Sequence, residues 1–262
     1  MDWQNIFLQA RRDVALIFPE VMVGFFGLAI LMLDFLLTKR QKSWNSLVAI
    51  LGVVMSGASL WVILPLASPP LGPATGYSHS IVIDPFFIFF ADIFLASTAL
   101  TVLLSVRYMD IENEQHGEYY ALMLFATVGM MFLACGNDLI VLFLALETMA
   151  LSFYVLTGFL RRDRRSNEAA MKYVLMGAFS SGILAYGFSI LYGITGSTNL
   201  DVISARLAVR VAEMHGTDLM TFLALGTVAA CGFAAVLWAV VHSGAVHHLI
   251  QSVVERALNL PF

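Results

Sequence analysis

Charged residues are scarce in this chain of 262 residues. Asp, Glu, Lys and Arg together make up 12% of the sequence, whereas 60% of the residues are hydrophobic and the mean hydropathy is +0.84. A soluble domain carries roughly twice this charged fraction. The shortage therefore excludes an ordinary soluble domain and predicts a polytopic membrane protein whose outer surface faces lipid.

Cysteines and cofactor-binding motifs are also few. Cys135 and Cys231 stand alone in apolar runs without CxxC spacing, so we expect neither a disulfide framework nor a metal site. The sequence has no GxGxxG segment after a strand, no P-loop, no CxxCH and no iron–sulfur spacing. We therefore expect no cofactor in this chain, and any associated redox chemistry belongs to partner proteins.

Long hydrophobic runs dominate the sequence. A helix needs about 20 mostly apolar residues to cross a membrane. Seven segments qualify: Phe18–Thr38, Trp44–Leu66, Ile81–Val106, Tyr119–Cys135, Asp138–Leu160, Asn167–Gly193 and Thr221–His242. The predicted fold class is an all-α polytopic membrane helix bundle of about seven helices that spans residues 1–242.

The basic residues predict an orientation. Alternate loops hold eight of them, Lys39, Arg40, Lys42, Arg107, Arg161, Arg162, Arg164 and Arg165, and the opposite side holds four, Arg11, Arg12, Arg206 and Arg210. Because basic residues accumulate in cytoplasmic loops, we expect the N-terminus outside and the Arg161–Arg165 cluster in the cytoplasm.

Residues 243–262 have a character of their own. Apolar residues recur there at helical spacing, at Val246, Leu249, Ile250, Val253, Val254, Ala257 and Leu258. This pattern is typical of an amphipathic helix in the membrane interface. A chance pattern in twenty residues of mixed composition explains it equally well.

An acidic residue stands in the middle of a predicted membrane helix. Glu147 is about nine residues, or ~14 Å, into the fifth predicted helix, and no basic residue lies within a dozen positions. An ionisable group there costs about 2.5–3.5 kcal/mol on insertion scales and marks an ion or proton pathway by default. The alternative is a neutral carboxyl group that is hydrogen-bonded for packing, and we favour the functional reading.

Lys172 lies about five residues, or ~8 Å, from the start of the sixth predicted helix. Lys172 either takes part in ion or proton handling inside the membrane or extends its charged end to the interface by snorkelling. Its position in the sequence favours neither alternative. Glu147 is ~20 Å from the same membrane side, so the offset of ~12 Å argues against a direct salt bridge. Water or polar groups such as Ser180, Ser181 and Tyr186 would have to connect the two.

Three segments carry a resemblance to a known family. They are GEYYALMLFATVGMMFLACGNDLIVLFLALETMALSFYVL from Gly117, RRDRRSNEAAMKYVLMGAFSSGILAYG from Arg161, and YGITGSTNL from Tyr192. Over about eighty residues they resemble subunit N of respiratory complex I, the proton-translocating NADH-quinone oxidoreductase. Other antiporter-like subunits of complex I and multisubunit Na⁺/H⁺ antiporters are related, and the EAAMKY…GAFSSG run favours subunit N.

The resemblance implies a function and a place in the cell. Glu147 matches the key protonatable acid of the family's fifth helix, and Lys172 matches the typical lysine of the sixth. The chain would be a non-redox subunit in the cell (inner) membrane that couples quinone reduction to proton translocation. Its partners would be lipid and the other membrane subunits, with no nucleic acid. NAD, FMN, Fe-S clusters and quinone would be bound by partner subunits.

The chain also departs from the family pattern. The family's seventh helix carries a lysine and then Pro-Phe-His-x-Trp-x-Pro-Asp, whereas this chain has CGFAAVLWAVVHSG from Cys231 and no lysine after Lys172. Family members are nearly twice as long and contain a second, inverted repeat. We therefore expect a truncated, frameshifted or diverged end from about residue 225. A stand-alone cation/proton antiporter and a non-functional fragment of subunit N are the alternative functions.

Overall fold

The computed structural model describes residues 3–36, 42, 44–66, 73–112 and 116–213 of the chain. The helices of this part are α1 Trp3–Leu16, α2 Phe18–Leu36, α3 Trp44–Ile63, α4 Pro85–Glu112, α5 Gly117–Cys135, α6 Leu139–Thr157, α7 Arg164–Thr195 and α8 Leu200–Glu213. Two short strands, β1 Ala74–Gly76 and β2 Ile81–Ile83, pair antiparallel between α3 and α4. Six of the helices, α2 to α7, are long and apolar enough to cross a membrane. The predicted seventh membrane helix and the tail at 243–262 lie outside the described residues.

Helix α5 lies at the centre of the first of two compact units, which comprises residues 1–175 and 197–204. It packs against α2, α3, α4 and α6, and Tyr120, Leu124 and Met131 are among its fully buried side chains. The buried hydroxyl oxygens of Thr127 on α5 and Thr98 on α4 are 2.7 Å apart. A hydroxyl pair of this kind links two helices within an apolar bundle.

The side chains of α2 show which face of this helix packs into the first unit. The buried residues of α2 include small and polar ones as well as large ones: Pro19, Glu20, Val23, Gly27 and Ile30. Phe25, Met32 and Phe35 are 61%, 72% and 90% exposed. Small residues at helix contacts and large apolar residues outside are typical of helices surrounded by lipid. The predicted fold class, an all-α membrane helix bundle, is confirmed.

The third predicted membrane helix, Ile81–Val106, includes a strand at its start and stops short of the end of the helix in the structure. Ile81–Ile83 is strand β2, and α4 begins at Pro85 and continues to Glu112. Hydropathy cannot separate the strand from the helix because the apolar run is almost continuous. Asp84 separates them: its carboxylate accepts a hydrogen bond from the backbone N–H of Phe87 at 2.7 Å and caps the helix.

The turn between β1 and β2 has an uncommon backbone conformation. Tyr77, Ser78 and His79 have φ angles of 50°, 57° and 65°, in the left-handed region that residues other than glycine rarely adopt. The carbonyl oxygen of His79 accepts hydrogen bonds from the side-chain amides of Asn137 (3.1 Å) and Asn199 (2.9 Å). These bonds help to offset the strain and tie the hairpin to the connection between α5 and α6.

Asp34, near the C-terminal end of α2, joins three segments of the first unit. Its Oδ1 accepts hydrogen bonds from the side-chain amide of Asn45 (2.7 Å) and the backbone N–H of Gly117 (2.9 Å). Its Oδ2 accepts one from Nζ of Lys42 at 2.9 Å. Glycine is required at position 117, because a Cβ there would lie 2.7 Å from Cβ of Asp34. Asp34 thus connects α2 to the first residues of α3 and α5.

Asp34→Ala is expected to lower the free energy of unfolding by on the order of 3 kcal/mol. Each buried group that loses its hydrogen-bond partner costs about 1–3 kcal/mol, and the variant removes the acceptor of both Asn45 and Gly117. Denaturation of the chain in mixed detergent micelles would measure the change. Asp34→Asn keeps one oxygen acceptor and should lose less, so equal stability of both variants and the unmodified chain would contradict this role.

The second compact unit contains residues 176–196 and the chain from residue 205 onward. In it, α7 ends at Thr195 and is followed by Gly196, which has a φ of 67° and whose N–H donates to the carbonyl oxygen of Tyr192 at 2.6 Å. A positive φ at glycine is the common way to end a helix. The guanidinium of Arg206 on α8 donates to the carbonyl oxygen of Thr195, so α8 is attached to the end of α7.

Candidate functional site

Helices α5 and α6 form an antiparallel hairpin, and the start of α6 is fixed by Asp138. One oxygen of its carboxylate accepts from the N–H of Ile140 (2.9 Å), and the other accepts from the hydroxyl of Thr198 (2.6 Å). The N–H of Leu139 donates to the carbonyl oxygen of Thr198 at 2.9 Å. These contacts set the register of α6 and so place Glu147 about 12 Å along the helix from its first residue.

At Gly129 the backbones of α5 and α6 are in direct contact. A Cβ on Gly129 would lie 2.7 Å from the carbonyl oxygen of Ala145 and 2.7 Å from the backbone nitrogen of Met149. Glycine permits this approach because it has no side chain. Ala145 and Met149 flank Glu147 at a distance of two residues each, so Gly129 faces the turn of α6 that carries the candidate carboxylate.

Glu147 is half-buried on α6, and its Oε1 is buried without a hydrogen-bond partner among the described residues. Two hydroxyl groups of the same helix are already engaged. Thr148 donates to the carbonyl oxygen of Leu144 (2.7 Å), and Ser152 donates to that of Thr148 (2.9 Å). A buried polar atom without a partner calls for an explanation such as catalysis or an ion.

Lys172 on α7 has a carboxylate partner that the sequence analysis did not identify. Its Nζ lies 2.6 Å from Oε1 of Glu168, and the two side chains are 67% and 59% exposed. Glutamate four residues before lysine is the favourable order for an ion pair on one helix face. The E-x-x-x-K spacing was therefore the signal in the sequence that could have revealed Glu168.

Contacts between α6 and the first part of α7 define the relative height of Glu147 and Lys172. A Cβ on Gly158 would lie 2.9 Å from Cβ of Ala170, and the rings of Tyr154 and Tyr173 meet edge to face at 4.8 Å. In this antiparallel register Lys172 is level with about residue 156, which is ~14 Å along α6 from Glu147. The height difference agrees with the offset expected from the sequence.

Tyr154 and Tyr173 lie between the two candidate residues. Tyr154 is on α6 two turns after Glu147, and Tyr173 follows Lys172 in sequence. The sequence analysis had suggested Ser181 as an intermediate, but its hydroxyl donates to the carbonyl oxygen of Ala178 on its own helix. The tyrosine pair is the better candidate for a polar connection along α6 and α7.

Comparison with known proteins agrees with the fold. Residues 136–244 match the model of the family described as "NADH:quinone oxidoreductase/Mrp antiporter, TM". The matched range contains both Glu147 and Lys172. It also includes positions 225–242, where the sequence lacks the expected lysine, so a diverged end from about residue 225 remains a hypothesis.

Curated relatives are similar to most of the chain. NADH-quinone oxidoreductase subunit N 1 of Koribacter versatilis is 50% identical over 226 residues, which are 85% of this chain and 44% of the relative. Subunit N 2 of Solibacter usitatus is 48% identical, covering 80% of this chain and 43% of the relative. Subunit N of Trichlorobacter lovleyi is 40% identical, covering 82% and 42%. The chain thus spans less than half the length of these relatives.

Two solved structures share the fold. A chain of respiratory complex I from Thermus thermophilus with bound aureothin has a TM-score of 0.62 and 26% identity, and the match covers 80% of this chain and 42% of that one. A chain of the membrane-bound sulfane sulfur reductase, an archaeal respiratory membrane complex, has a TM-score of 0.65, 19% identity and coverage of 82% and 43%. The chain is therefore similar to the multi-pass membrane proteins of the NADH:quinone oxidoreductase/Mrp antiporter family, and among them to subunit N.

Proposed function

We propose that this chain is a non-redox membrane subunit of an NADH-quinone oxidoreductase and takes part in proton translocation driven by quinone reduction. The observation that carries the proposal is the 40–50% identity to subunit N over 80–85% of the chain. The cofactors, NAD, FMN, Fe-S clusters and quinone, are held by partner subunits. The chain lies in the cell (inner) membrane with its N-terminus outside and contacts the neighbouring membrane subunits.

Glu147 is the proton acceptor in this proposal. Its buried Oε1 has no partner among the described residues, so it is free to bind a proton without first breaking a hydrogen bond. Binding removes a negative charge from an apolar environment, which favours uptake. Release requires a positive charge or a hydrated path nearby, and Lys172 is the candidate for the charge.

Lys172 acts from a distance in this proposal, because it is paired with Glu168 and lies ~14 Å along the helix from Glu147. A shift of Lys172 away from Glu168 towards α6 would favour the charged form of Glu147 and hence proton release. The Tyr154–Tyr173 pair, which joins α6 to α7, would lie between the charge of Lys172 and the carboxyl group of Glu147.

Lys172→Met is expected to lower proton translocation per NADH several-fold, because the variant removes the positive charge that assists release from Glu147. Lys172→Arg keeps the charge and should retain most of the activity. Proton uptake by inverted membrane vesicles, divided by the rate of NADH oxidation, gives the ratio to compare. Full activity of Lys172→Met would assign Lys172 to interfacial snorkelling instead.

The proposed function can be tested by purification and reconstitution of the complex. An affinity tag on the chain should recover an assembly that reduces quinone with NADH, and the assembly in vesicles should acidify one compartment. Purified chain alone in proteoliposomes should exchange no Na⁺ for H⁺. Cation exchange by the chain alone, with no redox partner recovered, would favour the antiporter instead. Recovery of neither activity would favour a non-functional fragment.

A further inference from the structure

Glu20 is a further carboxyl group inside the bundle, and the sequence analysis did not single it out. It lies in the first turn of α2, and its side chain is fully buried, with 0% exposure. Its Oε2 has no hydrogen-bond partner among the described residues. Its Oε1 faces the thiol of Cys135, whose Sγ is 3.9 Å away and can donate its single proton either to this oxygen or to the carbonyl oxygen of Phe132 at 3.7 Å. Carboxyl groups are almost never fully buried unless they are paired.

The elements around Glu20 offer no compensating positive charge within the described part of the chain. Helix α3 contains no ionisable residue, and its buried Ser56 donates to the carbonyl oxygen of Pro19 at 2.9 Å. The end of α5 contributes Cys135, a weak and uncharged donor. On α1 the ionisable residues are Arg11 and Arg12, which are exposed, and Asp13, which lies against Gly76 of β1.

Two opposing effects act on the charge of Glu20. Burial without a counter-charge favours the neutral, protonated carboxyl group, because an isolated charge in an apolar interior costs several kcal/mol. Position in the first turn of α2 favours the ionised form, because a helix N-terminus carries about half a positive charge. A group under such opposed influences can change its protonation state when a neighbouring charge or a water molecule moves.

We propose that Glu20 and Cys135 form a second proton-binding site, at the end of the bundle where α2 begins and α5 ends. The carboxyl group of Glu20 binds and releases the proton, and the thiol of Cys135 positions it by donating to Oε1. The β1–β2 hairpin and the α5–α6 turn lie at this same end, since β2 and Gly136 are bridged through Ile81. This site is independent of Glu147, because it uses a different carboxyl group on a different helix.

Infrared difference spectroscopy of the full chain in lipid nanodiscs, recorded between acidic and alkaline pH, tests this proposal. We expect a protonated-carboxyl band that titrates with pH in the unmodified chain and in Glu147→Gln, and that is lost in Glu20→Gln. Cys135→Ala should keep the band and shift it to higher wavenumber, because the carbonyl oxygen loses a hydrogen-bond donor. Spectra are compared before and after exchange into deuterated water to identify the carboxyl bands.

Persistence of every protonated-carboxyl band in Glu20→Gln would overturn the proposal, and so would a Glu20 band that does not change with pH. Glu20→Gln removes a buried group and risks misfolding, so the Cys135→Ala shift provides a second criterion in a chain that keeps Glu20. A spectrum of Cys135→Ala identical to that of the unmodified chain would rule out the thiol contact. None of these spectra depends on the assembled complex, so failure of this proposal and failure of the pumping role are separate results.

Discussion

Glu147→Gln is expected to reduce proton translocation by the assembled complex to the level measured when the chain is absent. The amide of glutamine has nearly the same shape as the carboxyl group but binds no proton in the physiological range. Oε1 of Glu147 is buried and has no hydrogen-bond partner among the described residues, so the substitution breaks no hydrogen bond of this oxygen there. The expected loss is therefore a loss of proton binding and not of folding.

Glu118→Gln is a matched control for this experiment. Glu118 is a carboxylate in the first turn of α5 and is exposed, so its neutralisation should leave translocation unchanged. Proton uptake and NADH oxidation are measured on the same vesicles, since loss of both in Glu147→Gln would indicate failed assembly. Normal pumping by correctly assembled Glu147→Gln would show that the carboxyl group serves packing.

Gly129→Ala is expected to destabilise the chain by about 1–3 kcal/mol, the range for overpacking a well-packed interior. The added methyl group would lie 2.7 Å from the carbonyl oxygen of Ala145 and 2.7 Å from the nitrogen of Met149. Both atoms belong to the backbone of α6, so no side-chain rotation can relieve the clash. The two helices must separate, and the turn of α6 that carries Glu147 moves with them. We therefore expect reduced proton translocation as well as reduced stability.

Gly57→Ala on α3 is a matched control for Gly129→Ala. A Cβ at Gly57 would have Leu95 at 3.9 Å as its neighbour, which is an ordinary contact. Alanine is favoured over glycine in a helix by roughly 0.5–1 kcal/mol, so this variant should be as stable as the unmodified chain or slightly more stable. Thermal denaturation in detergent compares the two variants. Equal stability of both would contradict the close contact between α5 and α6.

The fold class and most helix positions could be predicted from the sequence, because its apolar runs are long and because it resembles a known family. Segments such as Trp44–Leu66 and Tyr119–Cys135 are recognised because a helix is the structure that satisfies every backbone group of an apolar run in lipid. The strand at Ile81–Ile83 was missed, because three apolar residues before an apolar helix have the same hydropathy in either conformation. Helix α1, Trp3–Leu16, was missed because it is too polar to be recognised as a membrane span.

The candidate site was predicted only in part. The depth of Glu147 follows from counting residues at 1.5 Å per residue, and the offset from Lys172 follows in the same way. Glu20 was overlooked because it stands near the end of an apolar run, where an exposed carboxylate is ordinary. Its burial depends on α3 and α5, which are distant in sequence.

By itself, the sequence determined that this chain is a membrane helix bundle and predicted a carboxylate, Glu147, near mid-membrane, because the cost of charge in hydrocarbon acts residue by residue. Only the tertiary structure decided which groups meet. The contact of Gly129 with α6, the pairing of Lys172 with Glu168 and the burial of Glu20 beside Cys135 depend on rotation and register. Helices that are apolar on all sides leave rotation and register open until they pack against one another.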